Sequence, residues 1–361
     1  MLSPPSELLL RNKHFFETGK WLIINAADGD IFSYFAQQVT GFHQFYHDYL
    51  AITSYAKGKH IYASYEALEQ KFEGVIVYWP KSKQHGLMLC QFALTHLVNN
   101  GILLIVGDNK GGVKSAGKLL DKAGIRTQKS DSARHCTLLA AQISAPVPAF
   151  DPSSQIHTYQ LTNKAQQLSL QNLPGAFSSD GLDPGSALLL ADIDALLSDL
   201  SGRHNRSKQP IKILDFACGN GVIGLSVAQR LSPQVMSYPV AYEITLSDVN
   251  AIALNCAEGN IRLNQFDPQR IKVVSSDGLK QVSGKFHCIV SNPPFHSGTK
   301  TDYSVSEQFF RDAKQKLLPG GKLRIVANRF LKYPDQLESV FGNLKIMTKN
   351  SKFSVYQCSI S

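Results

Sequence analysis

The amino-acid pattern predicts an α/β protein made of two tandem copies of one unit, each a mostly parallel sheet with helices on both faces. Three observations carry this. At 361 residues the chain exceeds one typical domain, and two are expected. Its second half alternates short apolar strands with helical stretches, as a parallel sheet requires. Landmarks of that alternation recur in the first half in the same order.

The repeat is read from two pairs of landmarks. "FEGVIVYWPKSK" (72–83) matches "FHCIVSNPPFHS" (286–297), each a short apolar strand ending in a proline-bearing turn, 214 positions apart. "NNGILLIVGDNKGG" (99–112) parallels "LPGGKLRIVANRFL" (318–331), with Gly101 and Gly321 separated by 220 positions. Between them each copy carries a helical stretch, "LMLCQFALTHLV" (87–98) and 305–317, and each ends in a closing strand, "SARHCTLLAA" (132–141) and "SKFSVYQCSI" (351–360). The Pro/Ser-rich "ISAPVPAFDPSSQ" (143–155) is the expected linker, giving domains at 1–150 and 151–361.

In the second copy the elements follow in order. "IKILDF" (211–216) is a buried strand, followed by a glycine turn and a helix through "GLSVAQRL". "YEITLSD" (242–248) is the next strand, with a helix over "ALNCAEGNIRLN"; then come strands "IKVVSSD", "FHCIVSN" and "KLRIVAN", the last preceded by the 305–317 helix. Ligands of such sheets bind at the carboxyl ends of the strands.

What stands at those ends points to a nucleoside cofactor. Gly219, Gly221 and Gly224 have G-x-G-x-x-G spacing between a strand and a helix, which permits a tight turn and close backbone approach to a ligand. Asp215 is placed to accept from an ammonium group, Asp248 from two ribose hydroxyls, and Asp277 from an adenine amine. Each acid alone also suits a helix N-cap; four successive strand ends with such groups favour the site. The fourth ends in Asn292-Pro293-Pro294-Phe295. Two prolines cannot continue a central strand, so this is a rigid turn, or a site that aims carbonyl oxygens and a ring at a substrate.

This set resembles the S-adenosylmethionine-dependent methyltransferases with a Rossmann-like fold. The duplication, "LPGAFSSDGLDPGSALLL" (173–190), "SNPPFHSG", "GGKLRIVANRFLKYP", "VYWPKSK" and "SDSARHC" narrow it to the bacterial ribosomal RNA small subunit methyltransferase C family, over nearly the whole chain. The resemblance implies methyl transfer from S-adenosyl-L-methionine to guanine N2 in 16S rRNA, free or in the 30S subunit. Asn292 and the Pro293 carbonyl would hold the target amine, and Phe295 would stack on a flipped base. Asp215, Gly219, Gly221, Asp248, Asp277 and Asn292 would face the cofactor, with Phe177 and Asp183 near its methionyl end; His296 would contact base or phosphate, or simply belong to the turn. Ala217 stands where many methyltransferases have their first loop glycine, and is expected at negative φ. The same tetrapeptide also serves adenine-N6 and protein-glutamine methylation, and a non-catalytic rRNA-binding assembly protein is the reading from another class.

The first copy lacks this chemistry. At the glycine turn it has "LIINAADGDIF" (22–32) with only Gly29, and at the proline turn Tyr78-Trp79-Pro80-Lys81. It reads as a degenerate partner for RNA docking or structural support, with Lys57, Lys81 and Lys83 as phosphate-contact candidates.

A net charge of +9, with basic clusters at 57–60, 81–83 and 203–208, suits a polyanionic partner. Six scattered cysteines without a Cys-x-x-Cys pair argue against disulfides and zinc. No apolar run reaches the ~20 residues of a membrane span, and the start lacks a basic region ahead of its Leu run. A cytoplasmic monomer without metal is expected.

Overall fold

The computed structural model describes residues 1–360 except 36–37, 67, 145–146, 148, 164–165, 179–180, 205–208, 233–234, 237–239 and 294–302. The chain divides into two units, 1–156 with 173–175, and 157–172 with 176–361.

In the first unit, the apolar runs become the buried central strands, and the polar segments at 59–62 and 128–133 form partly exposed edge strands. The order is α1 (Pro4–Arg11), β1 (Trp21–Ile24), β2 (Val39–His43), α2 (Tyr46–Thr53), β3 (Lys59–Tyr62), β4 (Phe72–Tyr78), α3 (Lys83–Leu94), β5 (Leu97–Asp108), α4 (Val113–Lys122), β6 (Gln128–Ala133) and β7 (Cys136–Ile143). Its seven-stranded sheet runs β3-β2-β1-β4-β5-β7-β6. The first five strands pair in parallel, and β7 is antiparallel to both β5 and β6. Every residue of β1 is buried, as a strand covered on both faces must be.

The second unit opens with a hairpin, β8 (His157–Asn163) and β9 (Gln166–Asn172). It continues with α5 (Pro184–Ala191), α6 (Ile193–His204), β10 (Ile211–Phe216), α7 (Val222–Arg230), β11 (Tyr242–Asp248), α8 (Ala251–Leu263), β12 (Ile271–Ser275), β13 (Phe286–Ser291), α9 (Tyr303–Lys316), β14 (Leu317–Asn328), α10 (Tyr333–Phe341), β15 (Lys345–Lys349) and β16 (Phe353–Ser359). Its sheet order, β12-β11-β10-β13-β14-β16-β15, repeats that of the first unit strand for strand. The duplication is therefore structural. The order reverses beside β10, between β11 and β13, and the crevice at such a switch point is where a ligand fits.

The helices expected at 87–98 and 305–317 end sooner, at Leu94 and Lys316, and run almost directly into twelve-residue strands. Both long strands take up the extra residues with a register shift against their neighbours, between Phe72 and Gly74 and between Phe286 and Cys288.

Candidate active site

The turn after β10 is built from left-handed residues. Ala217 has φ +54°, Gly219 +55° and Gly221 +84°, and Gly221 caps α7. The expected negative φ at Ala217 is wrong. The turn needs its left-handed conformation at that position, and alanine adopts it against the Cβ repulsion that glycine avoids. A Cβ on Gly219 would meet nothing within 4 Å, whereas one on Gly221 would press on Leu246 at 3.2 Å. One face of the turn is thus open backbone and the other is packed. At Gly224 a Cβ would collide with Leu246 and lie 3.1 Å from Asp215 Oδ2, so this glycine lets α7 close on the sheet.

Asp215 braces the turn from behind. It is fully buried; its Oδ2 accepts from the Gly224 N–H at 2.8 Å, and its Oδ1 has no hydrogen-bond partner among the described residues. Burial pushes its carboxyl up to about 8. Asp248, ending β11, spans two backbone donors, with Oδ2 accepting from Gly219 N at 2.9 Å and Oδ1 from Asn250 N at 3.0 Å. Burial raises its pKa as well. Asp277 lies beyond β12 and is ion-paired to Lys280 at 2.6 Å, a competitor that spacing alone did not reveal.

At the end of β13, Asn292 is held by its amide nitrogen. Nδ2 donates to Asp183 Oδ2 at 2.8 Å and to Ser186 Oγ at 3.0 Å. Both amide hydrogens are engaged, so Oδ1 is turned the other way, and no described residue donates to it. The holders come from the first turn of α5, where Asp183 is the N-cap and accepts from Ser186 N at 3.0 Å. Gly185 makes the approach possible, because a Cβ there would lie 2.9 Å from Asp183 Oδ2 and 3.4 Å from Asn292 Nδ2. Pro293 is buried beside it. Phe295 and His296 lie outside the described residues. A cavity lined by Phe177, Asp183, Ser186, Ala217, Gly219 and Asn292 joins this turn to the glycine turn; Asp215, Asp248 and Asp277 are not in its lining.

The sequence reading missed the carboxamides that fasten the hairpin. Asn260 on α8 and Asn264 at its C-cap, one turn apart, each bond a β9 residue through both backbone groups: Asn260 with Gln171 N (2.7 Å) and O (3.0 Å), Asn264 with Ser169 N (3.0 Å) and O (2.7 Å). Four helical residues rise ~6 Å and two strand residues ~6.6 Å, so the ladders match. Asn220, in the glycine turn, donates to the Tyr159 hydroxyl at 3.1 Å, and Tyr159 also lines the cavity. Asparagines at i and i+4 on a helix were the available signal.

The family model described as "Methyltransferase small domain" matches residues 167–357, and "Methyltransferase small domain N-terminal" matches 6–159. Proteins named ribosomal RNA small subunit methyltransferase C are similar over full length: that of Pseudoalteromonas atlantica is 39% identical, covering 99% of each chain, and that of Alteromonas mediterranea 37%, covering 100% of each. The chain belongs to the ribosomal RNA small subunit methyltransferase C family. Among solved structures, a T. thermophilus 16S rRNA N2 G1207 methyltransferase in complex with AdoMet and guanosine shares the fold, with TM-score 0.81 at 20% identity, covering 99% of this chain and 92% of that one.

In this methyltransferase C family member, the first unit keeps the frame of the site and fills it with its own side chains. Ile24 pairs with Phe42 and Val77 as Phe216 pairs with Ser247 and Ser291. Asn25 (φ +53°) therefore stands at Ala217, His43 at Asp248 and Tyr78 at Asn292. His43 is buried against His60 at 3.0 Å, and burial pushes its pKa down to about 4, so a neutral imidazole replaces the carboxylate. Gln44 links the strand ends, donating from N to Asn25 Oδ1 (2.9 Å) and from Nε2 to Ser64 O (2.7 Å), while its Oε1 meets His85 Nε2 (2.8 Å). The N–H of Gly29 goes to the Tyr55 hydroxyl at 3.0 Å.

The duplication also reaches one motif that the sequence reading overlooked. "SPPSELLL" (3–10) and "DPGSALLL" (183–190) are the same helix start. Ser6 Oγ meets the Tyr78 hydroxyl at 2.6 Å, as Ser186 meets Asn292. Lys57, Lys81 and Lys83 are all exposed. All six cysteines are buried and none forms a disulfide, no described helix is long and apolar enough to cross a membrane, and no group of three metal-ligating side chains occurs among the described residues.

Proposed function

We propose that this chain transfers a methyl group from S-adenosyl-L-methionine to the exocyclic N2 of a guanine in 16S rRNA, with the second unit catalytic and the first degenerate. The observation that carries this reading is the anchored amide of Asn292, whose bound Nδ2 leaves Oδ1 as the acceptor for an amine. The residues also fit the cofactor: the turn at Gly219 is open backbone, bordered by Phe177 and Asn292 in one cavity. When bound, the cofactor supplies an electrophilic methyl carbon on a sulfonium.

The chain's own groups do the rest. Gly219 lets the backbone approach the ligand while Gly221 seats the same turn on Leu246, Asp248 receives the ribose hydroxyls, and Asp277 receives the adenine amine once Lys280 shares it. Asp215 stiffens the turn that presents backbone to the methionyl end. Guanine's amine is a weak nucleophile because its lone pair is delocalised into the ring. Asn292 Oδ1 and the Pro293 carbonyl accept its two N–H groups and hold the nitrogen out of that conjugation, which is orientation with electrostatic preorganisation. Its proton becomes acidic only as the new C–N bond forms, so no strong base is needed. Phe295 gives the extruded base a stacking face. The protein works as a cytoplasmic monomer without metal.

The test uses unmodified 16S rRNA, cofactor and enzyme, followed by mass mapping of nucleosides. Wild type yields N2-methylguanosine, and Asn292→Ala yields none while its cofactor affinity stays within a few-fold. Methylation of adenine, or activity of Asn292→Ala within tenfold of wild type, overturns the assignment.

A further inference from the structure

We propose that the exposed face of α4, in the first unit, is a docking surface for the sugar–phosphate backbone of RNA. The inference rests on the rRNA substrate proposed above and adds a place for it. α4 buries Val113, Ala116 and Leu120, an ordinary apolar stripe. Its outer face presents Lys114, Lys118 and Lys122, all exposed, with Lys110 one step before and Arg126 one step after. The spacing is four residues throughout. Within the helix each step rises ~6 Å, and ammonium groups on flexible four-carbon stems can follow successive phosphates along such a line.

Nothing among the described residues neutralises this line. Among the described residues none of these five basic side chains makes an ion pair. The single acid on the helix, Asp121, turns its Oδ1 toward the Thr127 N–H at 3.4 Å. Like charges at i and i+4 repel each other, and Lys114 in the first turn opposes the helix dipole. A bound polyanion reverses both effects.

The duplication supplies an internal comparison. α10 holds the equivalent place in the second sheet and buries Tyr333, Leu337 and Phe341, yet its exposed charges are Asp335 and Glu338. The fold does not require a basic helix there, so the lysines answer to something outside the fold. A repeating charge without interleaved exposed aromatics suits backbone contact and not base reading.

The experiment measures binding of full-length protein to unmodified 16S rRNA over a salt series. Three contacts at ~0.7 each for single strands predict that K114Q/K118Q/K122Q reduces the slope of log affinity against log salt by about 2. Affinity near physiological salt should fall roughly tenfold, with cofactor affinity unchanged. K114R/K118R/K122R, which keeps the charge, and D335N/E338Q should both behave as wild type. An unchanged slope in the glutamine variant overturns the proposal, as does equal loss in the arginine variant. Failure of the wild type to methylate rRNA overturns instead the functional reading beneath it.

Discussion

Replacing Asp183 by alanine should separate two roles that one oxygen performs. Asp183 Oδ2 accepts from Ser186 N at 3.0 Å, capping α5, and from Asn292 Nδ2 at 2.8 Å. Losing an N-cap costs about 1 kcal/mol of stability. Losing a hydrogen bond to a charged acceptor costs about 1.5–3 kcal/mol, and that bond fixes which way the Asn292 amide faces. If it is fully expressed in the transition state, kcat falls roughly 10- to 150-fold, at about 1.4 kcal/mol per tenfold. Asp183→Asn keeps a good cap but removes the charge, so it should retain stability while still losing rate. The assay is single-turnover methyl transfer to unmodified rRNA, with thermal unfolding run on the same preparations. Wild-type kcat in Asp183→Ala, alongside the expected loss of stability, would reduce Asp183 to a cap and refute the argument.

Asp248→Ala removes the acceptor for Gly219 N and Asn250 N and should weaken cofactor binding by about 1.5–3 kcal/mol; unchanged affinity by calorimetry excludes it from the site. Ala217→Gly relieves a left-handed alanine worth about 1–2 kcal/mol and gives back about 0.5–1 through the freer unfolded chain. The expected gain is about 0.5–1 kcal/mol in denaturant unfolding, and a loss would show that the turn is unstrained. Asp215, pushed up to about 8 from 3.8, binds a proton when folded that it lacks when unfolded between those values. Wild type therefore loses stability as pH rises from 3.8 to about 8. Asp215→Asn lacks that slope, and parallel pH profiles for the two proteins would contradict the burial effect.

The parts legible in the sequence were those with a local signature. The apolar strands of the second half, the glycine turn and the proline turn each announce themselves within a few residues. β2, α2 and β3 of the first unit were not resolved, because "VTGFH" and "KHIY" have neither a long apolar run nor clean alternation. Helix ends were misjudged because the breakers, Asn99-Asn100-Gly101 and Pro319-Gly320-Gly321, lie inside β5 and β14, past the points where α3 and α9 stop. At the site, strand-end acids could be picked out but not their partners: Lys280 holds Asp277, and Asp215 faces Gly224. Ala217 was misread because side-chain identity says what a residue prefers, while the turn dictates what it does. The pairing of Asn292 with Asp183 spans 109 positions, a distance over which no sequence periodicity operates.

The carboxamides along β9 have a consequence for assembly. β9 pairs on one side with β8 alone, so its other side would ordinarily be an open edge inviting a strand from another molecule. Asn264 and Asn260 occupy that side at Ser169 and Gln171, and Gln229 Nε2 donates to Gln167 O at 3.1 Å. A side-chain carboxamide has the donor and acceptor of a peptide group, so α7 and α8 imitate the missing third strand. That edge of the hairpin is closed to strand addition without a charge or a proline along β9.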